Sequence, residues 1–232
     1  MRLFELAFKR ETAMPMLALT FASAACVALV AARIFWTGNV YSAFLIWNLF
    51  LAWLPLIFSL LACDHYRSAP GWNWRFFGFA GAWLLFFPNA PYIFTDLIHV
   101  TSHIYPHFWM DMILILLCAL TGFVLGFVSL FLMQSVVRAM FGQLAGWIFI
   151  AATAGLSGIG IYLGRFMRFN SWDVLVQPVK LYHGIGTWMA EPLANPKSLG
   201  FPVMFATFLF IAYVMLYALT HLKHAQPQES LR

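Results

Sequence analysis

An aspartate and a histidine stand three residues apart in the segment FPNAPYIFTDLIHV, residues 87–100. At 100° per residue, Asp96, His99 and His103 share one helical face, within an arc of about 60°. A carboxylate and two imidazoles are a ligand set for a divalent metal. A carboxylate that orients a histidine equally makes an acid/base pair. Asp96 and His99 are therefore candidate catalytic residues, and all three are a candidate metal site. The competing interpretation is that the histidines only mark the membrane surface.

A second polar segment, GRFMRFNSWD, spans residues 164–173. Arg165 and Arg168 are three residues apart and project together if the helix continues through them. With amide and hydroxyl donors they are suited to hold a phosphate or carboxylate, so Arg165, Arg168, Asn170 and Asp173 are candidate substrate-binding residues. The alternative is an interfacial arginine pair that reaches the lipid headgroups. Because a carboxylate in a membrane is costly unless paired, we expect Asp96 to pair with one of these arginines.

The step Pro-Asn-Ala-Pro, residues 88–91, precedes the aspartate. The apolar run from residue 74 to 87 gives only about 21 Å of helix at about 1.5 Å per residue, against a bilayer core of about 30 Å. The span therefore has to continue through the step, and Pro88 and Pro91 each remove an N–H donor from it. We expect a broken helix whose second half is capped by Asn89, another candidate binding residue. A kink that only shapes packing is the alternative.

The composition requires a membrane for these segments. The 232 residues are 63% hydrophobic and 9% charged, with a mean hydropathy of +0.83. Soluble domains carry about 25% charge, so this chain has too little polar surface for water. The net charge is +5, and the lysines and arginines lie between and beside the apolar runs. This position indicates that they set the membrane topology, and it argues against binding of nucleic acid. The sequence predicts an all-α, polytopic bundle that forms a single transmembrane domain over residues 1–232. Its six predicted spans cover residues 14–35, 41–62, 74–98, 109–133, 144–163 and 201–220, with a polar tail at 224–232.

Topology and small residues complete the expected architecture. A cytoplasmic N-terminus places most lysines and arginines on the cytoplasmic side, and those outside fall mainly in the long fifth loop, so both termini are expected in the cytoplasm. Asp96 and the arginines then share the extracytoplasmic face. Span four carries Gly122 and Gly126, and span five carries small residues at four-residue spacing. Such faces allow close helix packing in lipid.

Three segments together resemble one family. WNLFLAWLPL, FPNAPYIFTDLIHV and GRFMRFNSWDVL occur in this order within six spans, and in this the chain is similar to the domain-of-unknown-function 1361 family of uncharacterised bacterial integral-membrane proteins. The resemblance implies a multi-pass protein of the bacterial inner membrane and brings no established activity with it. It directs attention to the polar members of the segments, which include Asn48, Asn89 and Asp96.

Three functions remain open at the level of sequence. The first is an enzyme that acts at the outer face on a lipid-linked or anionic envelope substrate. The second is a transporter component, because a broken span with an intramembrane carboxylate is typical of transporters. The third is a non-catalytic membrane subunit or assembly factor. The lipid bilayer is the partner that all three share, with an anionic lipid as a candidate ligand; the cofactor, a divalent metal included, is undetermined.

Overall fold

The structure is a computed structural model that describes residues 13–68, 74–101, 108–194 and 197–221. Within these residues the chain forms helices and no strand. The helices are α1 (Ala13–Thr37), α2 (Phe44–Ser68), α3 (Trp74–Phe86), α4 (Asn89–Tyr92), α5 (Ile98–Thr101), α6 (Phe108–Phe141), α7 (Gln143–Phe166), α8 (Asp173–Val176), α9 (Pro178–Ala194) and α10 (Lys197–Thr220), with 3-10 turns at Val40–Ala43 and Ile93–Leu97. His103 and the predicted tail at 224–232 lie outside the described residues.

Six helical segments of the described chain are long and apolar enough to cross a membrane, which confirms the predicted fold class. They are Ala13–Thr37, Val40–Ser68, Trp74–Val100, Phe108–Phe141, Gln143–Phe166 and Ser198–Thr220. Each contains the corresponding predicted span. Large apolar side chains such as Phe21, Leu144 and Met204 are exposed around the bundle, as expected for side chains that face lipid.

Helix α6 is the centre of the bundle. It packs against α2, α7, α1 and the 3-10 turn Ile93–Leu97, and its apolar window is the most buried of the six spans. Helix α10 packs mainly on α7 and completes the far side. Since consecutive spans alternate in direction, one end of the bundle gathers the α1–α2 turn, the end of the third span, the start of α6 and the end of α7. We call this the site end.

The third span is broken where the prolines predict it. Helix α3 ends at Phe86, and short helical turns carry the chain from Asn89 to Thr101. Because the two prolines have no N–H to donate, the regular helical hydrogen bonds are interrupted here. Ala90 N–H, for example, donates to the oxygen of Phe87, three residues earlier. Asn89 is the first residue of α4 and makes no side-chain capping bond, so the expectation that it caps the second half-helix is wrong.

Glycines of two other helices receive the broken segment. A methyl group at Gly122 or Gly126 of α6 would press against Ala90 and its neighbours. A methyl group at Gly160 of α7 would meet Pro88, and one at Gly164 would meet Tyr92. The small-residue faces therefore position the broken span, because only glycine lets the two helices approach it this closely.

Helix α9 was not predicted from the sequence. It lies in the long connection between α7 and α10 and has a mixed apolar and polar composition, with Val179, Tyr182 and Met189 exposed. An amphipathic helix with exposed apolar side chains is suited to lie in the plane of a membrane interface. The alternation of apolar and polar residues in such a helix is a weaker sequence signal than the continuous apolar run of a membrane span, so the sequence did not predict α9.

We predict that Gly158→Ala destabilises the protein, whereas Gly155→Ala does not. The added methyl at Gly158 would collide with the backbone oxygen of Pro202 in α10, and overpacking of this kind costs about 1–3 kcal/mol. The same change at Gly155 meets no atom within 4 Å and gains helix propensity of up to about 1 kcal/mol. Thermal unfolding in detergent should show a lower midpoint for the first variant alone; equal midpoints would contradict the packing of α7 on α10.

Candidate functional site

Asp96 is the centre of a buried polar network at the site end. Only 1% of the surface of Asp96 is exposed, although the side chain is a carboxylate. Asn48 Nδ2 of α2 donates to Asp96 Oδ2 at 2.7 Å, and Arg165 Nη1 of α7 donates to Asp96 Oδ1 at 3.1 Å. Both carboxylate oxygens are therefore paired, and one of the bonds is an ion pair. The network ties the second, third and fifth spans together.

His99 joins this network through Arg165. Its Nε2 lies 3.2 Å from Arg165 Nη2 and 3.8 Å from Asp96 Oδ1. A guanidinium only donates, so His99 Nε2 accepts and the ring is neutral with its proton on Nδ1. That proton points to the hydroxyl of Tyr41, 3.0 Å from Nδ1. The geometry thus assigns the tautomer of His99 and occupies both ring nitrogens with protein partners.

Arg165 also contacts an aromatic ring of the broken span. Its guanidinium carbon lies 5.9 Å from the ring centroid of Tyr92, and its Nη1 lies 3.5 Å from the Tyr92 hydroxyl. The cation is held by the Asp96 carboxylate and favoured by the electron-rich ring face. Of the two arginines that the sequence offered as partners, Arg165 is the one that pairs with Asp96.

The loop after α7 separates the two arginines. Helix α7 ends at Phe166, and Arg168 adopts a positive φ of 60°, which turns the chain away from the helical path. Arg168 is exposed, and the structure gives its side chain no hydrogen bond or ion pair to any described residue. Asp173 Oδ2 instead accepts from the backbone N–H of Asn170 at 2.6 Å, so this carboxylate shapes the loop. Neither Arg168 nor Asp173 contacts Asp96.

Asn89 connects the same loop to the broken span. Its Nδ2 donates to the hydroxyl of Ser171 at 2.9 Å and to the backbone oxygen of Phe86 at 3.0 Å. The second of these bonds satisfies a carbonyl that the proline step leaves without its helical donor. Asn89 therefore holds the loop after α7 against the break in the third span.

A cavity of about 340 Å³ lies beside this network. Its polar wall consists of Asn48, Asn89, Tyr92, Asn170 and Ser171. Its other walls are apolar or small: Trp47, Leu51, Leu85, Pro88, Gly160, Leu163, Gly164, Phe169, Val174, Leu181 and Ile185. Asn48 and Tyr92 contact the Asp96–Arg165 pair on one side and line the cavity on the other. Binding sites for small molecules have volumes in this range and a similar mixture of a few polar groups with apolar walls.

A second ion pair at the site end was missed in the sequence. Arg33 of α1 donates to both carboxylate oxygens of Asp111 in α6, at 2.7 and 2.9 Å. A small void of about 30 Å³, room for about one water, separates this pair from Tyr41 and His99. The two residues are far apart in the chain, and each alone is an ordinary interfacial charge. The sequence did contain one signal for such a pair. The connection after the third span has acids nearby and no Lys or Arg, so its acids have to find their bases in other segments at the same end.

The candidate metal set is only partly within the described chain. Among the described residues, no group of three or more His, Cys, Asp or Glu side chains is placed to hold a metal ion. Asp96 and His99 both face the guanidinium of Arg165, which is a cation already. His103, the third predicted ligand, lies outside the described residues.

Comparison with known proteins places the chain in a family. The model of a family described as "Protein of unknown function (DUF1361)" matches residues 47–214. The matched segment begins in α2, ends in α10, and contains Asn48, Asn89, Asp96 and Arg165. No curated protein and no solved structure matches the chain. The match covers well over half of the sequence, so the chain belongs to the DUF1361 family.

We predict that Arg165→Met destabilises the protein strongly and that Arg168→Met does not. Loss of the guanidinium leaves the buried Asp96 carboxylate without its counter-ion, which costs about 3–5 kcal/mol and corresponds to about 10 °C in the unfolding midpoint. Arg168→Met is the matched control, because the substitution is the same and the side chain is exposed. Scanning fluorimetry in detergent measures both; similar midpoints would mean that the pair does not hold the bundle.

Proposed function

We propose that this member of the DUF1361 family binds an amphiphilic molecule, a lipid or lipid-linked compound of the outer leaflet, in the cavity beside Asp96 and Arg165. The observation that carries the proposal is the cavity itself. One wall offers amide and hydroxyl groups, and the others offer aliphatic and aromatic side chains. A molecule with a polar headgroup and an apolar portion matches this division.

The position of the cavity also supports a membrane ligand. Leu51, Leu85 and Leu163 line it from three membrane-spanning segments, whereas Leu181 and Ile185 line it from α9. Helix α9 exposes apolar side chains on its surface and suits the interface between lipid and water. A ligand bound between these elements has its headgroup near the interface and its chains among the spans.

Asp96 and His99 are positioning residues in this proposal. Asp96 accepts the Nδ2 bond of Asn48 and thereby fixes the orientation of an amide that lines the cavity. Both oxygens of Asp96 and both nitrogens of His99 already face protein partners. An acid/base role of this pair in a reaction would need Arg165 to move away first. Binding is therefore the function that the geometry supports best.

Transport through the bundle has less support than binding. Deeper in the bundle, the void between the third span, α6, α7 and α10 measures about 20 Å³ and holds about one water. Its lining is apolar apart from the Tyr213 side chain. Below the site, Ser129 accepts from Trp83 Nε1 and donates to the backbone oxygen of Gly126, so its hydroxyl is bonded to protein atoms. This small apolar void therefore gives no support to a hydrophilic route between these four segments.

The proposed location is the extracytoplasmic side of a bacterial inner membrane, with both termini in the cytoplasm. Lys and Arg residues support this orientation under the positive-inside rule. The described exposed cations at the site end belong chiefly to the long connection after α7, including Arg168 and Lys180. Long connections follow the rule less strictly than short ones.

We predict that Val174→Trp removes the bound amphiphile and that Val176→Trp retains it. Val174 lines the cavity and is 41% exposed, so an indole there fills the space without disturbing the core. Val176 lies two residues further, is 68% exposed and does not line the cavity. Lipid extracted from purified protein and quantified by mass spectrometry should fall about ten-fold for the first variant, the equivalent of about 1.4 kcal/mol. Equal lipid content in both variants would overturn the proposal.

A further inference from the structure

We infer that the headgroup bound in this cavity is uncharged and rich in hydroxyl groups, as in a glycosyl lipid, and is not a phosphate or carboxylate. The inference rests on the proposed function and names the chemical class of its ligand. It also departs from the anionic substrate that the two arginines suggested in the sequence.

The orientation of two amides is fixed by their protein partners. Asn89 uses its Nδ2 group on the oxygen of Phe86 and the hydroxyl of Ser171, so its Oδ1 is left for a ligand. Asn48 donates from Nδ2 to the carboxylate of Asp96, which fixes that amide in the same way. A flipped amide would set oxygen against oxygen at both places. The amide oxygens of this wall therefore remain as acceptors, while the second Nδ2 hydrogen of Asn48 and the hydroxyl hydrogens of Tyr92 and Ser171 remain as donors.

A wall with both acceptors and donors needs a ligand that both donates and accepts. A hydroxyl group donates and accepts, so it can bond to Asn89 Oδ1 and also accept from the Ser171 hydroxyl. A phosphate or carboxylate only accepts, so it could bond to the donors of this wall but would leave its amide oxygens without a donor. Asn170, which is exposed and lines the same wall, offers both a donor and an acceptor. The polar wall is thus complementary to a polyol.

The charge of the lining leads to the same conclusion. None of the residues that line the cavity is Asp, Glu, Lys, Arg or His. The nearest described cation in the polar network, Arg165, is paired with the Asp96 carboxylate, and Arg168 is exposed to solvent. A charged headgroup would lose its hydration in the cavity without gaining a counter-ion, which is unfavourable by several kcal/mol. A neutral headgroup does not meet this penalty.

An aromatic side chain at the cavity supports a sugar ring. Trp47 lines the cavity, is 53% exposed, and packs edge-on against Trp172 at a centroid distance of 6.3 Å. The face of an indole is electron-rich and attracts polarised C–H groups, which a pyranose presents on its less polar side. An indole at a polar and apolar boundary therefore fits a ring that is hydroxylated at its rim and apolar on its face.

The test compares lipids that share acyl chains and differ in headgroup. Full-length protein is titrated in nanodiscs with monoglucosyl diacylglycerol, diacylglycerol and phosphatidic acid, and separately with free glucose, and binding is measured by native mass spectrometry. We expect the glucosyl lipid to bind about ten-fold more tightly than the other two lipids, a difference of about 1.4 kcal/mol, and more tightly than free glucose. Trp47→Leu should remove this preference, whereas Trp109→Leu, a change at another exposed indole, should keep it.

The outcomes separate the inference from the proposed function on which it rests. If phosphatidic acid binds as tightly as the glucosyl lipid and Val174→Trp abolishes both, the cavity binds lipid and the neutral headgroup is wrong. If free glucose binds as tightly as the lipid, the headgroup class is right and the membrane ligand is wrong. If Val174→Trp changes none of the affinities, both the inference and the proposed function fail.

Discussion

A buried carboxylate in an apolar bundle is the constraint on which the rest of this structure depends. Without water, Asp96 has to be neutralised and hydrogen-bonded by protein groups, and Arg165 and Asn48 do so from two different helices. That requirement brings the second, third and fifth spans together at one end. The same bonds occupy both oxygens of Asp96 and the guanidinium of Arg165. The pair is therefore suited to position the residues of a binding site and is not free to react with a ligand.

The broken third span and the glycine faces follow from the same requirement. Asp96 reaches Asn48 and Arg165 only if the segment after Pro88 passes close to α6 and α7. Gly126 and Gly160 permit that approach, because a methyl group at either would press against the segment. The break frees a carbonyl, which Asn89 satisfies while it also holds the loop after α7. The cavity lies between these parts and takes its amide-lined wall from them.

The sequence predicted the spans well because hydropathy and proline act locally. It also placed Asp96 and the arginines at one end, since alternating spans determine which loops meet. It did not choose between Arg165 and Arg168, because that choice depends on where α7 ends and on the left-handed backbone of Arg168. The Arg33–Asp111 pair and the contact of Gly158 with α10 were missed for a similar reason: both depend on which helix faces which, and spacing alone does not encode this.

A double-mutant cycle on Asp96 and Arg165 measures how far the buried carboxylate depends on its counter-ion. Asp96→Asn, Arg165→Met and the combined variant are compared by unfolding free energy in mixed micelles. We expect the double variant to be more stable than the sum of the single effects implies, by about 1–3 kcal/mol, because the second change removes a charge that the first left unpaired. Strict additivity would mean that the carboxylate and the guanidinium do not depend on each other in the folded protein, and the buried pair would then not hold the three spans together.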